Sequence, residues 1–220
     1  MQGLEDLPKG LDPSRWQWVD LDGEGLTGLL AMQAEGWFYK RNNGAGRLAP
    51  ARRIPARPSG NVRWMDLDGD GRMEAVSLSP GMSGYYARDP QGDWEGFRPL
   101  RKLPSVNFDA PETRLIDLNG DGQAEVMVTE NACITWYDSE GTKGWDNPER
   151  VRIPTDEEKG PRALLQTDRE SIFWADMSGD GLADVVRIRN GSICYWPNLG
   201  YGRFGAKIQM SGAPWFDRRE

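Results

Sequence analysis

Four short segments of the sequence concentrate carboxylates and glycines at one repeated spacing. The most complete copy reads DLDGDGRME, from Asp66 to Glu74, with acids at positions 1, 3, 5 and 9. Calcium takes six to eight oxygen ligands, and alternate residues of a tight loop can direct their oxygens to one centre, while a glycine at position 6 permits the sharp turn. The spacing therefore predicts a calcium loop, although the same side chains could hold the turn by bonding to its own backbone.

The four copies differ in the oxygen ligands that they offer. The candidate metal ligands are Asp66, Asp68, Asp70 and Glu74 in the second copy, Asp117, Asn119, Asp121 and Glu125 in the third, and Asp176, Ser178, Asp180 and Asp184 in the fourth. The fourth copy replaces one carboxylate with a hydroxyl, so we expect it to bind calcium more weakly. The first copy, which starts at Asp20, has Gly28 where the closing acid should stand, and we expect it to hold no ion.

Several residue types needed for catalysis are missing or badly placed. The chain has no histidine, which excludes Ser-His-Asp and Cys-His nucleophiles and His-ligated zinc. Cys133 and Cys194 lack metal-site spacing and are predicted to be small buried apolar residues. The segment GYGRFG, residues 200–205, matches a dinucleotide-binding fingerprint, but no helical pattern follows it. Each good carboxylate pair belongs to a repeat, whereas a catalytic pair is normally unique, so we predict that the protein is not an enzyme.

Charge and hydropathy exclude two classes of partner. The net charge of −7 argues against nucleic acid, which needs clustered Lys and Arg, and prolines interrupt the one basic stretch, residues 47–63, which we interpret as a solvated connection. No apolar run approaches the ~18 residues of a membrane span, so we expect no membrane insertion. The N-terminal residues 1–13 also lack the pattern of a signal peptide.

The acidic segments mark a repeat that runs through the whole chain. Their first residues are Asp20, Asp66, Asp117 and Asp176, so successive copies lie roughly 50 residues apart. Glycines follow at +3 and +5, and an aromatic residue follows at +19 in every copy. Such a period is close to that of a four-stranded propeller blade. The chain is therefore predicted to be an all-β β-propeller with four blades, or a piece of a larger six- or seven-bladed ring.

Each repeat predicts the same order of strands. The repeat units span roughly residues 14–60, 61–110, 111–169 and 170–220. An apolar strand leads into the acidic loop, and a second strand, such as 126–129, follows the loop. A tight turn, exemplified by Asn190-Gly191, leads to an aromatic strand, and a less regular outer strand comes last. The ten tryptophans are predicted mainly to fill the space between blades.

The repeat resembles a known family. The acidic loop, the aromatic strand and the turn Phe204-Gly205-Ala206 are similar to the FG-GAP or VCBS repeat. Residues 175–217, which contain YWPNLGYGRFG, resemble part of the B component of bacterial insecticidal ABC (Tc) toxin complexes, a region shared with SpvB-type virulence proteins, and so do WQWVDLDGEG and DEEKGPR. The resemblance implies a non-catalytic propeller that docks onto the pore-forming A component, gates the toxin shell and is secreted within the complex.

Two further possibilities follow from the repeat. The same architecture serves calcium-dependent adhesion or carbohydrate-binding modules, in which exposed aromatic residues such as Tyr86 or Trp94 would stack on a sugar. An incomplete ring would also leave open blade edges, through which copies of the chain could associate.

Overall fold

The computed structural model describes residues 16–33, 36–54, 58, 62–162, 164 and 171–215, which form four four-stranded sheets. Blade 1 contains β1 (Trp16–Val19), β2 (Gly28–Gln33), β3 (Gly36–Lys40) and β4 (Arg52–Ile54). Blade 2 contains β5 (Arg63–Met65), β6 (Glu74–Ser79), β7 (Met82–Tyr86) and β8 (Arg98–Pro99). Blade 3 contains β9 (Thr113–Ile116), β10 (Glu125–Thr129), β11 (Cys133–Ser139) and β12 (Trp145–Arg152). Blade 4 contains β13 (Ser171–Ala175), β14 (Asp184–Arg189), β15 (Ser192–Trp196) and β16 (Ile208–Met210).

Every sheet is an antiparallel meander whose strands pair in chain order, which is the topology of a propeller blade. The predicted all-β fold of four propeller blades is confirmed. The outer strands β4, β8 and β16 are only two or three residues long, as the weak pattern of that segment predicts, whereas β12 has eight residues and an irregular register opposite Tyr137 and Asp138. Within the described residues, no helix is both long and apolar enough to cross a membrane.

The chain divides into two compact units, residues 1–101 and 102–220, each with two blades and an apolar core. The core of the first unit includes Leu21, Leu30, Trp37, Ala75 and Trp94. The core of the second includes Leu118, Met127, Trp136, Val185 and Trp196. Four of the ten tryptophans belong to these two sets of buried residues, as expected for side chains that fill the space between packed sheets.

The structure tests three local predictions, of a turn, of a fingerprint and of a connection. The turn Asn190-Gly191 joins β14 to β15, and Gly191 has a φ of 73°, which an L residue adopts only with strain. No helix follows residues 200–205 within the part of the chain described, so the fingerprint there is not a dinucleotide site. The basic stretch contains β4, which corrects its reading as a plain connection.

The two cysteines lie in different environments. Cys194 is 1% exposed and belongs to the core of the second unit, as predicted. Cys133 is only half-buried, because its thiol lies at the start of β11 and donates to the Glu130 carboxylate over 2.8 Å. Both are free, so the prediction of two buried apolar cysteines is correct for Cys194 alone.

Candidate functional site

The four acidic loops, numbered loop 1 to loop 4 by blade, each join the first strand to the second. The residue at position 9 is the first residue of the second strand, and the sheet register places it opposite the last residue of the first strand. The pairs are Gly28 with Val19, Glu74 with Met65, Glu125 with Ile116, and Asp184 with Ala175. The sheet therefore fixes the closing position at the base of its loop.

The position 1 aspartate holds the turn in all four loops. In loop 2, Asp66 accepts hydrogen bonds from the N–H groups of Gly69 and Gly71, both 2.8 Å long, one on each carboxylate oxygen. The equivalent bonds of Asp20, Asp117 and Asp176 are 2.6 to 3.0 Å long. The eight glycines at positions 4 and 6 have φ between 70° and 90°. Backbone hydrogen bonding to one side chain therefore accounts for the shape of the turn.

Loop 2 brings three of its four predicted ligands together. Ligand oxygens of Asp66, Asp68 and Glu74 lie within 4.8 Å of one another. Glu74 is 4% exposed and accepts a 2.8 Å bond from the N–H of Leu67, which is itself buried. Burial, helped by the neighbouring carboxylates and opposed by the Leu67 N–H, raises the pKa of Glu74 to about 7. A bound cation would remove that penalty.

The fourth predicted ligand of loop 2 is used differently. Asp70 accepts a 2.8 Å hydrogen bond from the N–H of Arg72 and does not belong to the three-carboxylate group. It lies on the exposed side of the loop. The structure therefore places Asp70 beside the candidate centre and leaves its role as a ligand a prediction.

In loop 3 a side-chain amide donates hydrogen bonds to two of the carboxylates. Glu125 is fully buried and accepts a 2.7 Å bond from the Leu118 N–H. The Asn119 side-chain amide donates to both Asp121 and Glu125 over 3.3 Å, while its oxygen accepts from the Asp121 N–H. Burial, helped by Asp121 and Asp117 and opposed by the Leu118 N–H, raises the pKa of Glu125 to about 8. As oriented, Asn119 turns an N–H rather than an oxygen toward the acids.

In loop 4 the closing acid, Asp184, accepts hydrogen bonds from three backbone N–H groups. Asp184 is fully buried; one of its oxygens accepts from the N–H groups of Met177 and Ser178 at 2.9 and 3.0 Å, and the other accepts from the N–H of Asn198 at 2.8 Å. Asp180 accepts from the Leu182 N–H. The hydrogen bonds recorded for Asp176, Asp180 and Asp184 all come from backbone N–H groups, and this loop offers a cation the least free carboxylate.

Loop 1 departs from the pattern because an aromatic side chain occupies the space of the closing acid. A Cβ on Gly28 would collide with the hydroxyl of Tyr39 and come within 2.6 Å of the Lys40 carbonyl oxygen. Burial, with Asp22 nearby, raises the pKa of Tyr39 to about 12, while the N–H of Leu21 acts in the opposite direction. The Tyr39 phenol thus occupies the place that Glu74 and Glu125 occupy in loops 2 and 3. Its oxygen is buried and makes no hydrogen bond to a described residue.

Loop 1 also receives a positive charge from the next blade. One terminal nitrogen of Arg88 donates to the Leu21 carbonyl and to the Asp22 carboxylate, the latter over 3.0 Å. The Arg88 side chain is 4% exposed. Asn198 occupies the same position in the fourth repeat as Arg88 in the second, and it donates in the same way to the Leu118 carbonyl over 3.3 Å. In each unit, then, a side chain of the later blade bonds to position 2 of the earlier loop.

Sequence analysis missed Arg88, Asn198 and Tyr39 as parts of the loops. The two donors belong to a position where the four repeats carry Asn, Arg, Ser and Asn, and such variation gives no signal of a shared contact. A stronger signal was available in loop 1. A repeat that loses its closing acid but keeps three other carboxylates needs a compensating cation, and an arginine in the adjacent repeat is the natural source.

Two aromatic residues proposed as sugar platforms do not have the required exposure. Trp94 is 8% exposed and packs against Trp64, with ring centroids 5.6 Å apart, beneath the guanidinium of Arg88. Tyr86 is half-buried and its ring lies 5.2 Å from that of Phe97. The prediction that Trp94 stacks on a ligand is wrong, because its faces are already occupied.

Comparisons with known proteins agree with this architecture. The FG-GAP-like repeat family matches residues 117–187. A chain of the Tc holotoxin pore of Photorhabdus luminescens is 30% identical with a TM-score of 0.77, and the match covers 97% of this chain and 10% of that one. An Agrocybe aegerita lectin that recognises non-reducing terminal N-acetylglucosamine is 20% identical with a TM-score of 0.57, over 87% of this chain and 50% of the lectin.

A further match is the TcdB2–TccC3 complex, 20% identical with a TM-score of 0.45, over 92% of this chain and 13% of that one. Matches at 20% identity show at most the fold, and this TM-score is too low to add to it. No curated protein sequence matches significantly. The chain spans about a tenth of the length of the Photorhabdus chain. The chain consists of four β-propeller blades with an FG-GAP-like repeat at residues 117–187, and its resemblance to a component of Tc toxin complexes is confirmed by sequence and by fold.

Proposed function

We propose that this chain is a non-catalytic protein-interaction propeller of a Tc-toxin B component, which docks onto the pore-forming A component and gates the toxin shell. The observation that supports it most is the 30% identity over 97% of the chain to the Photorhabdus Tc holotoxin pore. A match this long includes the loops, the turns and the aromatic positions together. Release from a bacterial cell as part of the complex follows from the same proposal.

The site chemistry favours binding over catalysis. The buried acids Glu74, Glu125 and Asp184 each accept the N–H of position 2 in their own loop, and the position 1 aspartates are bonded to glycine N–H groups. Such carboxylates are acceptors in a turn rather than proton donors aimed into a cleft. The repeated loops therefore shape and stiffen a scaffold, which is what a docking propeller needs.

A calcium ion fits loop 2 better than loops 3 and 4. The three carboxylates of loop 2 offer hard oxygen ligands close together, and Glu74 carries a raised pKa of about 7 that a cation would relieve. In loop 3 the Asn119 amide would have to turn over before its oxygen faced an ion. We infer that Asp66, Asp68 and Glu74 hold calcium when it is present, and that its role there is to rigidify the turn.

A binding measurement tests the docking function. The 220-residue chain, immobilised through one terminus, should retain the cognate pore-forming component, and a propeller of unrelated family should not. The reverse result, no retention of the pore-forming component together with retention on a glycan array, would favour the carbohydrate-binding alternative and refute docking. Melting in excess calcium and in excess chelator tests the metal, since an ion at ~100 times its Kd adds about 2.7 kcal/mol to stability.

A further inference from the structure

The first unit contains a cavity that sequence analysis did not predict. Its volume is about 480 Å³, and it lies over loop 1, walled by residues of blades 1 and 2. Four arginines line it: Arg41, Arg52, Arg72 and Arg88. Against its three acids, Asp22, Glu24 and Asp89, the lining keeps one excess positive charge in a chain whose net charge is −7, and an anion would offset that excess.

The cavity offers more hydrogen-bond donors than acceptors. The three acids that line it are already engaged. Glu24 is engaged by a terminal nitrogen and the Nε of Arg41, Asp22 by Arg88, and Asp89 accepts the N–H of Asp93. Arg52 bonds to main-chain carbonyls, those of Gln91 and Gly92, at 3.3 and 3.4 Å. Because a guanidinium carries five N–H donors, these arginines retain donor capacity for a ligand.

Two of the guanidinium groups converge on one glycine. The Gly92 carbonyl accepts from the Nε of Arg88 over 3.1 Å and from Arg52. A Cβ built on Gly92 would lie 2.7 Å from the second terminal nitrogen of Arg88 and 2.9 Å from one of Arg52, so both nitrogens border the same small volume. Like charges held this close repel each other, and a bound anion would offset that repulsion.

One donor at this point has no partner. The Arg88 side chain is only 4% exposed, and its second terminal nitrogen is buried without a hydrogen bond to any described group. A buried and unsatisfied guanidinium nitrogen is costly. Because this nitrogen has almost no accessible surface, the donors that a ligand can reach in the cavity are those of the exposed Arg52 and Arg72.

We propose that this cavity binds the carboxylate side chain of an acidic segment in a partner protein. A guanidinium fork matches a carboxylate in geometry and charge. The cavity is larger than a simple oxyanion requires, and Ala49, Pro50 and Pro90 supply apolar wall against which the methylenes of a glutamate can pack. The inference rests on the proposed interaction function and specifies the chemistry of the docking partner.

The test uses a hexaglutamate peptide as the probe and hexaglutamine as its uncharged control, titrated into the 220-residue chain by calorimetry at low ionic strength. Hexaglutamate should bind and hexaglutamine should not. Arg52→Gln and Arg72→Gln should each weaken binding about tenfold, the size of one lost charge-assisted contact. Arg47→Gln removes an exposed arginine of the same blade outside the cavity, and it should leave binding within about twofold.

Each outcome decides the proposal. Equal losses in all three variants would mean diffuse attraction to charge and would overturn it, as would saturation by inorganic phosphate at the same concentration as hexaglutamate. Retention of the pore-forming component by the Arg52 and Arg72 variants at wild-type strength, with no peptide binding, would refute the site while leaving the docking function intact. Peptide binding by a chain that does not retain the pore-forming component would support the site and refute the docking function.

Discussion

Replacement of Glu74 by glutamine separates the two roles that a buried acid can have in loop 2. The glutamine keeps an oxygen for the Leu67 N–H but carries no charge and needs no proton. In the wild type, the folded pKa of about 7 lies above the ordinary value of 4.5, so the folded state holds the proton more tightly than the unfolded chain does. The stabilisation is complete below pH 4.5 and is lost progressively as the pH rises through about 7.

The size of the effect follows from the shift. One pKa unit corresponds to about 1.4 kcal/mol, so a shift from 4.5 to about 7 makes the wild type about 3 kcal/mol less stable at pH 9 than at pH 4.5 on account of Glu74. Glu74→Gln should therefore match the wild type near pH 4.5 and exceed its stability by about 3 kcal/mol at pH 9 in chelator. Excess calcium should reverse that order at pH 9, because only the wild type offers the third carboxylate.

Urea denaturation at several pH values, in chelator and in calcium, measures these free energies directly. Glu95→Gln makes the same charge change at an exposed surface pair with Arg98 and should shift stability by less than about 1 kcal/mol at every pH. Glu125, whose pKa is raised to about 8, titrates in the same window in both proteins, so the difference between Glu74→Gln and the wild type at each pH isolates Glu74. A wild-type stability that does not fall between pH 5 and pH 9 in chelator would refute the assignment of a buried, uncompensated charge to Glu74.

Three further substitutions test the loops by denaturation. Asp176→Ala removes the acceptor of two glycine N–H groups and should cost about 1 to 2 kcal/mol with or without calcium; a cost seen only in calcium would show that metal binding, not the turn, is its role. Gly28→Ala should cost about 2 to 3 kcal/mol by collision with Tyr39, and Gly96→Ala, whose Cβ meets open space, should be neutral. Asn198→Ala should lower stability by about 2 kcal/mol, and an unchanged urea midpoint would contradict its role between blades.

The fold was predictable because one signal occurs four times. A single acidic loop is an ambiguous pattern, but four in register fix the ends of eight strands, and the position 9 residue begins the second strand in every blade. The boundary between the two units could not be predicted from the sequence. Nothing in the composition of residues 95–110 distinguishes the division after Arg101 from the other connections between blades.

The candidate site was only partly predictable, because its decisive contacts join different repeats. Periodicity identifies what the copies share, and it identified the turn, its glycines and its acids. It cannot identify the contacts that Arg88 and the +19 aromatic Tyr39 make with loop 1, because these contacts arise from the missing acid at Gly28. Exposure was equally hidden for Trp94, since an aromatic residue in a short loop has the same local pattern whether it packs inward or projects.

The four loops together show which part of the pattern calls for a cation. The position 1 acid is bonded to two glycine N–H groups in every copy, and loops 2, 3 and 4 supply an acid at position 9 to accept the position 2 N–H, so the turn itself forms without a metal. Charge is compensated separately: by Arg88 in loop 1, by the Asn119 amide in loop 3, and by three N–H groups on Asp184 in loop 4. Among the residues described, loop 2 has three clustered carboxylates and no cationic side chain paired with them. Removal of Arg88 should therefore make loop 1 dependent on an added cation, whereas loop 2 would have that dependence already.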